Sequence, residues 1–186
     1  MSGVAENART GIETGVRDAP GGGPTLVAVC GCPGVGKSTV ARTLAGWLDA
    51  TWLRTDAVRK ELFEEPTYEP EESKSVYQTA MDRARAALPD RPVIVDASFA
   101  DRRHRAAVQR VAAECGVPFT LLQVHCDESV TIDRIRDRED ISDADVEVYH
   151  EIKDSFDPLW TEHITVDNSD SWDATVEQLE VLSLWD

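Results

Sequence analysis

The chain has 186 residues, with 35 acidic against 19 basic side chains and a formal net charge of −16. That length suits one domain with a full core, and no apolar run approaches the ~20 residues that a membrane-spanning helix needs. The start of the chain lacks the basic-then-apolar pattern of a secretory leader, so a cytoplasmic location without membrane partners is expected.

Lysine is scarce, occurring only at Lys37, Lys60, Lys74 and Lys153. So acidic a surface repels polyanions and stays hydrated at high ionic strength, which is the composition expected of a salt-loving host. An acidic protein of ordinary habitat is the alternative. The four cysteines, Cys30, Cys32, Cys115 and Cys126, do not form a zinc pattern and read as small reduced thiols.

Residues 1–24 are polar, without apolar periodicity, and end in a glycine run and Pro24, the composition of a flexible tail ahead of a single domain over 25–186. The apolar run 25–30 predicts a buried strand. Residues 31–39, GCPGVGKST, match G-x-x-x-x-G-K-[ST], the phosphate-binding loop. Glycines there let main-chain N–H groups turn inward around phosphate oxygens. Lys37 reaches the β and γ phosphates, and the Ser38 hydroxyl is placed for Mg²⁺. Val40, Ala41, Leu44, Ala45 and Leu48 follow at helical spacing, so strand, loop and helix aim a helix N-terminus at an anion.

A second strand over 51–55 leads to Asp56, with Arg59 one turn later on the same helical face. Asp56 could take the proton of an acceptor hydroxyl, with a plain helix N-cap as the alternative. Arg59 could hold an anion of the substrate. The acidic segment 64–72 is expected to line the acceptor pocket, with Tyr68 either contributing or acting as a packing anchor.

The strand 92–96 ends in Asp96, the pattern of a carboxylate that holds Mg²⁺ beside a phosphate loop. Ala97 follows where motor ATPases carry a glutamate, which favours transfer to an organic acceptor over hydrolysis. Residues 101–105, DRRHR, open a helix that puts Arg105 near the strand end as a further anchor. His104 reads as a surface histidine. After the strand 119–124, the helix 127–138 carries Arg134 and Arg138 at i, i+4 on one face, while Arg136 points elsewhere. A polar stretch and a second helix over 143–155, opened by Ser142 and Asp145, complete the outline of a lid. Its arginines would offset charge developing on a transferred phosphoryl group. A last strand, 164–166, precedes Asp167-Asn168-Ser169, a polar turn that would lie near an adenine, and a helix over 172–184.

Strands alternating with helices predict an α/β, three-layer fold with a mainly five-stranded parallel sheet, a ligand at the strands' C-terminal ends and a helical lid. The stretches GCPGVGKST, RTDAVRKEL (54–62), VIVDASFADRRHR (93–105) and RIRDREDISDADVEVY (134–149) resemble the P-loop kinases related to gluconate kinase, zeta toxins and the kinase module of polynucleotide kinase. They are most similar to the ATP-binding kinase domain sometimes fused behind an aminoglycoside phosphotransferase-like domain, of which this chain would be a stand-alone version. The resemblance implies that Lys37, Ser38 and Thr39 bind ATP and Mg²⁺, that Asp56 and Arg59 lie near the acceptor, and that Arg134 and Arg138 are the lid arginines. Ser98 departs from the pattern, since relatives often carry threonine there.

The expected activity is transfer of the γ-phosphoryl of ATP to a hydroxyl of a small molecule. ATP and Mg²⁺ would bind through Gly34, Val35, Gly36, Lys37, Ser38, Thr39 and Asp96. A 5′-hydroxyl of nucleic acid is the alternative acceptor, opposed by the net charge. A hydrolysing switch or motor is a third reading, opposed by Ala97 and by the absence of an N-K-x-D guanine-reading sequence.

Overall fold

The computed structural model describes residues 23–137 and 145–182. In chain order the elements are β1 (Leu26–Cys30), α1 (Lys37–Leu48), β2 (Thr51–Arg54), α2 (Thr55–Leu62), α3 (Pro70–Ala87), β3 (Val93–Asp96), α4 (Arg102–Cys115), β4 (Phe119–His125), α5 (Glu128–Asp137), α6 (Val146–Asp154), β5 (Ile164–Asp167) and α7 (Trp172–Glu180). The expected tail falls outside the described residues except for Gly23 and Pro24. Each expected strand and helix is present, with ends displaced by a few residues. At 55, expected to end the second strand, β2 has already passed straight into α2.

The five strands form one sheet in the order β2-β3-β1-β4-β5, every pair parallel. The central strand β1 is LVAVC and wholly buried. It must be apolar on both sides, because crossover helices cover both faces of a parallel sheet. Its side chains divide by the two-residue period of a strand. Leu26, Ala28 and Cys30 pack with Met81, Leu88, Val108 and Val111 of the α3–α4 side. Val27 and Val29 pack with Val40, Leu44 and Leu179 of the α1–α7 side. Register aligns Val29 of β1 and Arg54 of β2 with Asp96 of β3, so the strand ends bring Arg54 and Asp96 side by side.

Arg105 does not serve the cleft as expected. It is 6% exposed, and its guanidinium donates to the carbonyls of Phe99 (2.6 Å), Ala100 (2.9 Å), Asp157 (3.0 Å) and Pro158 (3.0 Å). The physical reason is the turn after β3. Phe99 is fully buried with φ 48, a left-handed conformation that few L residues adopt. That turn leaves carbonyls facing inward, and a planar fork of donors suits them. Arg105 thereby ties the β3–α4 loop to the α6–β5 loop. Beside it stands Trp160, 84% exposed.

Replacing Arg105 by alanine strands buried carbonyls and is expected to cost about 1–3 kcal/mol of stability. Lysine, which lacks the fork, should recover only part of it. Urea denaturation of the two variants tests this, and unchanged midpoints would contradict it.

Candidate functional site

The loop between β1 and α1 turns on glycines held in left-handed conformations, Gly34 at φ 82 and Gly36 at φ 94. A Cβ at Gly34 would lie 2.6 Å from Ile135 Cγ1 and 2.9 Å from Thr131 Cγ2 of α5. A Cβ at Gly36 would collide with the Asn168 side-chain amide. Both positions therefore admit only glycine, on backbone and on space. Val35 between them is 4% exposed, its side chain in the core. Gly34, Gly36, Lys37, Ser38 and Thr39 all line one cleft of about 680 Å³ at the C-terminal edge of the sheet. Lys37 Nζ donates to the carbonyl of Cys32 at 2.7 Å, which bends the side chain back over the loop. Burial pulls its pKa down, opposed first by Asp96 and then by Asp56.

Asp96 and Ser38 line the same cleft, near enough for the Ser38 hydroxyl to pull the Asp96 carboxyl pKa down. Asp96 is 4% exposed. Its burial raises the carboxyl pKa, against the pull of Lys37, Ser38 and Arg54. Asp96 Oδ2 has no hydrogen-bond partner among the described residues, although Arg54 Nε lies 3.7 Å away. A buried carboxylate oxygen left in this state, next to a hydroxyl, is a fitting donor set for Mg²⁺. That ion takes one or two protein oxygens and completes its shell with phosphate and water. Among the described residues no cluster of three or more His, Cys, Asp or Glu could hold a metal alone.

Asp56 is not an N-cap. It sits in the first turn of α2, whose cap position is Arg54, and its carboxylate lines the cleft. Its charge acts on Lys37, Asp96 and Tyr77, so it stands between the loop and the aromatic wall. Arg59 also lines the cleft but is 7% exposed and bound to Glu72 at 2.7 Å. His104, read from sequence as a surface residue, faces the cleft instead. It stacks on Tyr77 with ring centroids 3.6 Å apart, and burial lowers its pKa. Tyr77 in turn receives the Phe99 N–H at 3.2 Å and lies 3.5 Å from Ser98 Oγ.

Arg134, in the last turn of α5, lines the same cleft and donates to the carbonyl of Asn168 at 2.8 Å and to Cys126 Sγ at 3.4 Å. Arg138 and Ser142 lie outside the described residues. Arg136 is exposed and pairs with Asp133 at 4.0 Å, as a surface ion pair would. Asp145 is the N-cap of α6, accepting from Val148 N at 3.0 Å.

Sequence reasoning missed the weight carried by Asn168. This residue is 5% exposed, and every polar group on it is used. Its Nδ2 donates to the Val35 carbonyl (2.8 Å), its Oδ1 accepts from Thr175 Oγ1 (2.8 Å), and its N–H donates to His125 O (2.8 Å). Its own carbonyl holds Arg134. The residue after β5 thus fixes the loop between β1 and α1 and Arg134 together.

Residues 26–159 match the model of the AAA domain family. An uncharacterized protein of Mycobacterium bovis is 34% identical over 126 residues, which are 61% of this chain and 24% of that protein, and an uncharacterized protein of Mycobacterium tuberculosis matches equally. The chain spans about a quarter of the length of these curated relatives. A gluconokinase from Sinorhizobium meliloti superposes with a TM-score of 0.67 at 18% identity, covering 83% of this chain and 89% of that one. A sugar kinase from Janibacter gives 0.64 at 17%, covering 83% and 91%. The Mycobacterium tuberculosis APS kinase, solved with AMPPNP and APS, gives 0.63 at 17%, covering 86% and 95%. At these identities the likeness speaks for the fold.

Asn168→Ala removes the bond to Val35 and leaves Thr175 Oγ1 without that acceptor, so a stability loss of about 1–3 kcal/mol is expected. Nucleotide affinity should fall as well, because the loop and Arg134 lose their common support. Chemical denaturation and a nucleotide titration measure the two effects; unchanged affinity would show that the loop holds its shape without Asn168.

Proposed function

Since the chain belongs to the AAA domain family, we propose that it is an ATP-dependent phosphotransferase acting on a hydroxyl of a small molecule. The observation that carries this reading is the placement of Asp56. The Asp56 carboxylate opens into the cleft within the electrostatic reach of both Lys37 and Asp96. An acceptor hydroxyl beside it would be both oriented and relieved of its proton as its oxygen attacks the γ-phosphorus. Ala97, buried at 3% exposure, follows Asp96 where a hydrolase would need an acid to activate water.

Main-chain amides of Gly34–Thr39 and the Lys37 ammonium would bind the polyphosphate. Ser38 and Asp96 would hold Mg²⁺, which supplies charge neutralisation on the phosphate oxygens when bound. Arg134, oriented by the Asn168 carbonyl, would approach the same oxygens. Positioning and electrostatics then account for the rate without a covalent enzyme intermediate. The sugar kinase, gluconokinase and APS kinase likenesses support a small-molecule acceptor. The net charge of −16 opposes a nucleic-acid one.

ADP release measured over a panel of sugars, nucleosides and an oligonucleotide, in low and molar salt, identifies the acceptor class. With the acceptor found, Asp56→Asn should lower turnover about 10²–10⁴-fold while leaving ATP affinity nearly intact. An unchanged turnover number would remove Asp56 from the mechanism.

A further inference from the structure

Arg59 has the type and position of an anion anchor, yet its guanidinium is already engaged. Nη1 donates to Glu72 Oε1 at 2.7 Å and Nη2 to Ser73 Oγ at 3.2 Å, while the Tyr68 ring lies across it at 4.5 Å. Glu72 is held as firmly from its other side. Its Oε2 accepts from Thr67 N (2.7 Å), Thr67 Oγ1 (2.6 Å) and Tyr68 N (3.1 Å). Both partners are buried, at 7% and 8% exposure. Burial alone would raise the Glu72 pKa, but the bonds from Thr67 and Arg59 outweigh it and bring it down to about 2. The carboxylate is therefore ionised throughout the neutral range. Tyr68 adopts φ 59 to close this turn, a conformation that tyrosine keeps only where its surroundings require it.

The other charges on the cleft wall are disposed of as well. Lys37 and Arg134 belong to the phosphate loop and its Asn168 support, and Arg54 lies against Asp96. Asp101 is bound by Arg103. Burial lowers the His104 pKa and so disfavours a charge on its ring. What faces an acceptor is then the Asp56 carboxylate and, from α6, Glu151. An anionic acceptor would meet repulsion with no open cation at that end among the described residues to offset it.

We infer that Glu72 is a built-in counter-ion that closes Arg59 to ligands, and that the acceptor is a hydroxyl compound carrying no carboxylate, sulfate or phosphate. The inference rests on the phosphotransferase reading for the word acceptor; the closed state of Arg59 does not. Neutralising Glu72 should open the anchor, because a buried guanidinium that has lost its carboxylate recruits another anion.

The test uses the full chain saturated with Mg²⁺ and a non-hydrolysable ATP analogue, titrated calorimetrically with D-gluconate and with D-glucitol, which share a polyol chain but differ in the carboxylate. The wild type should bind gluconate no more tightly than glucitol. Glu72→Gln should gain at least about tenfold in gluconate affinity, and adding Arg59→Gln should abolish the gain. A wild type that prefers gluconate by about tenfold or more, or a folded Glu72→Gln that gains nothing, would overturn the inference. If Glu72→Gln does not fold, the wild-type comparison still decides. Failure of the ATP analogue to bind would contradict the phosphotransferase reading separately. The gluconate titrations would then be run on the nucleotide-free chain, with the double variant as reference.

Discussion

The cleft depends on a short stretch of main chain being kept in turns that it would not adopt alone. Gly34 and Gly36 hold left-handed conformations because other parts of the fold close against them. Ile135 and Thr131 of α5 fill the space beside Gly34, and the Asn168 side chain fills the space beside Gly36 and takes the Val35 carbonyl. The loop is thus shaped from outside, by residues more than ninety positions further along the chain. Rigid donors of this kind need no reorganisation when charge arrives, which is the property a phosphate site requires.

The same economy governs the arginines. In a chain so acidic, four of them stand at or near the strand ends, and each has a different task. Arg105 binds carbonyls and joins two loops. Arg59 is matched by Glu72, and Arg54 lies against Asp96. Arg134 is carried by the Asn168 carbonyl at the edge of the cleft. Positive charge near a phosphate site is therefore poor evidence of ligand contact until its partners are known. Burial forces pairing, and an arginine fork can be satisfied as well by the fold as by a substrate.

Much of this was legible in the sequence, and the physical reason is locality. The phosphate loop is a contiguous motif. β1 and β3 declare themselves as short apolar runs, and the helices as 3.6-residue periodicity. Asp56 and Asp96 follow from the rule that parallel strands deliver their side chains at the C-terminal edge. What could not be read depends on pairs distant in the chain. The partner of Arg59 lies thirteen residues away across a loop whose fold hinges on Tyr68, and the partner of Val35 lies 133 residues away. His104 looked solvated because its helix opens with charged residues, and only the packing of α3 on α4 shows that it stacks on Tyr77. The start of the second lid helix is settled by Asp145, the N-cap of α6, whose carboxylate accepts from Val148 N.

The central claim is that main-chain amides and the Lys37 ammonium form a polyphosphate site with Ser38 and Asp96 beside it. Equilibrium titration of ATP into wild-type chain and Lys37→Ala, each with and without Mg²⁺, tests it most directly. The account predicts saturable binding by the wild type, strengthened by Mg²⁺, and a loss of about tenfold or more in affinity on truncating Lys37. A wild type that does not retain ATP, or a Lys37→Ala variant that binds it equally well, would contradict it.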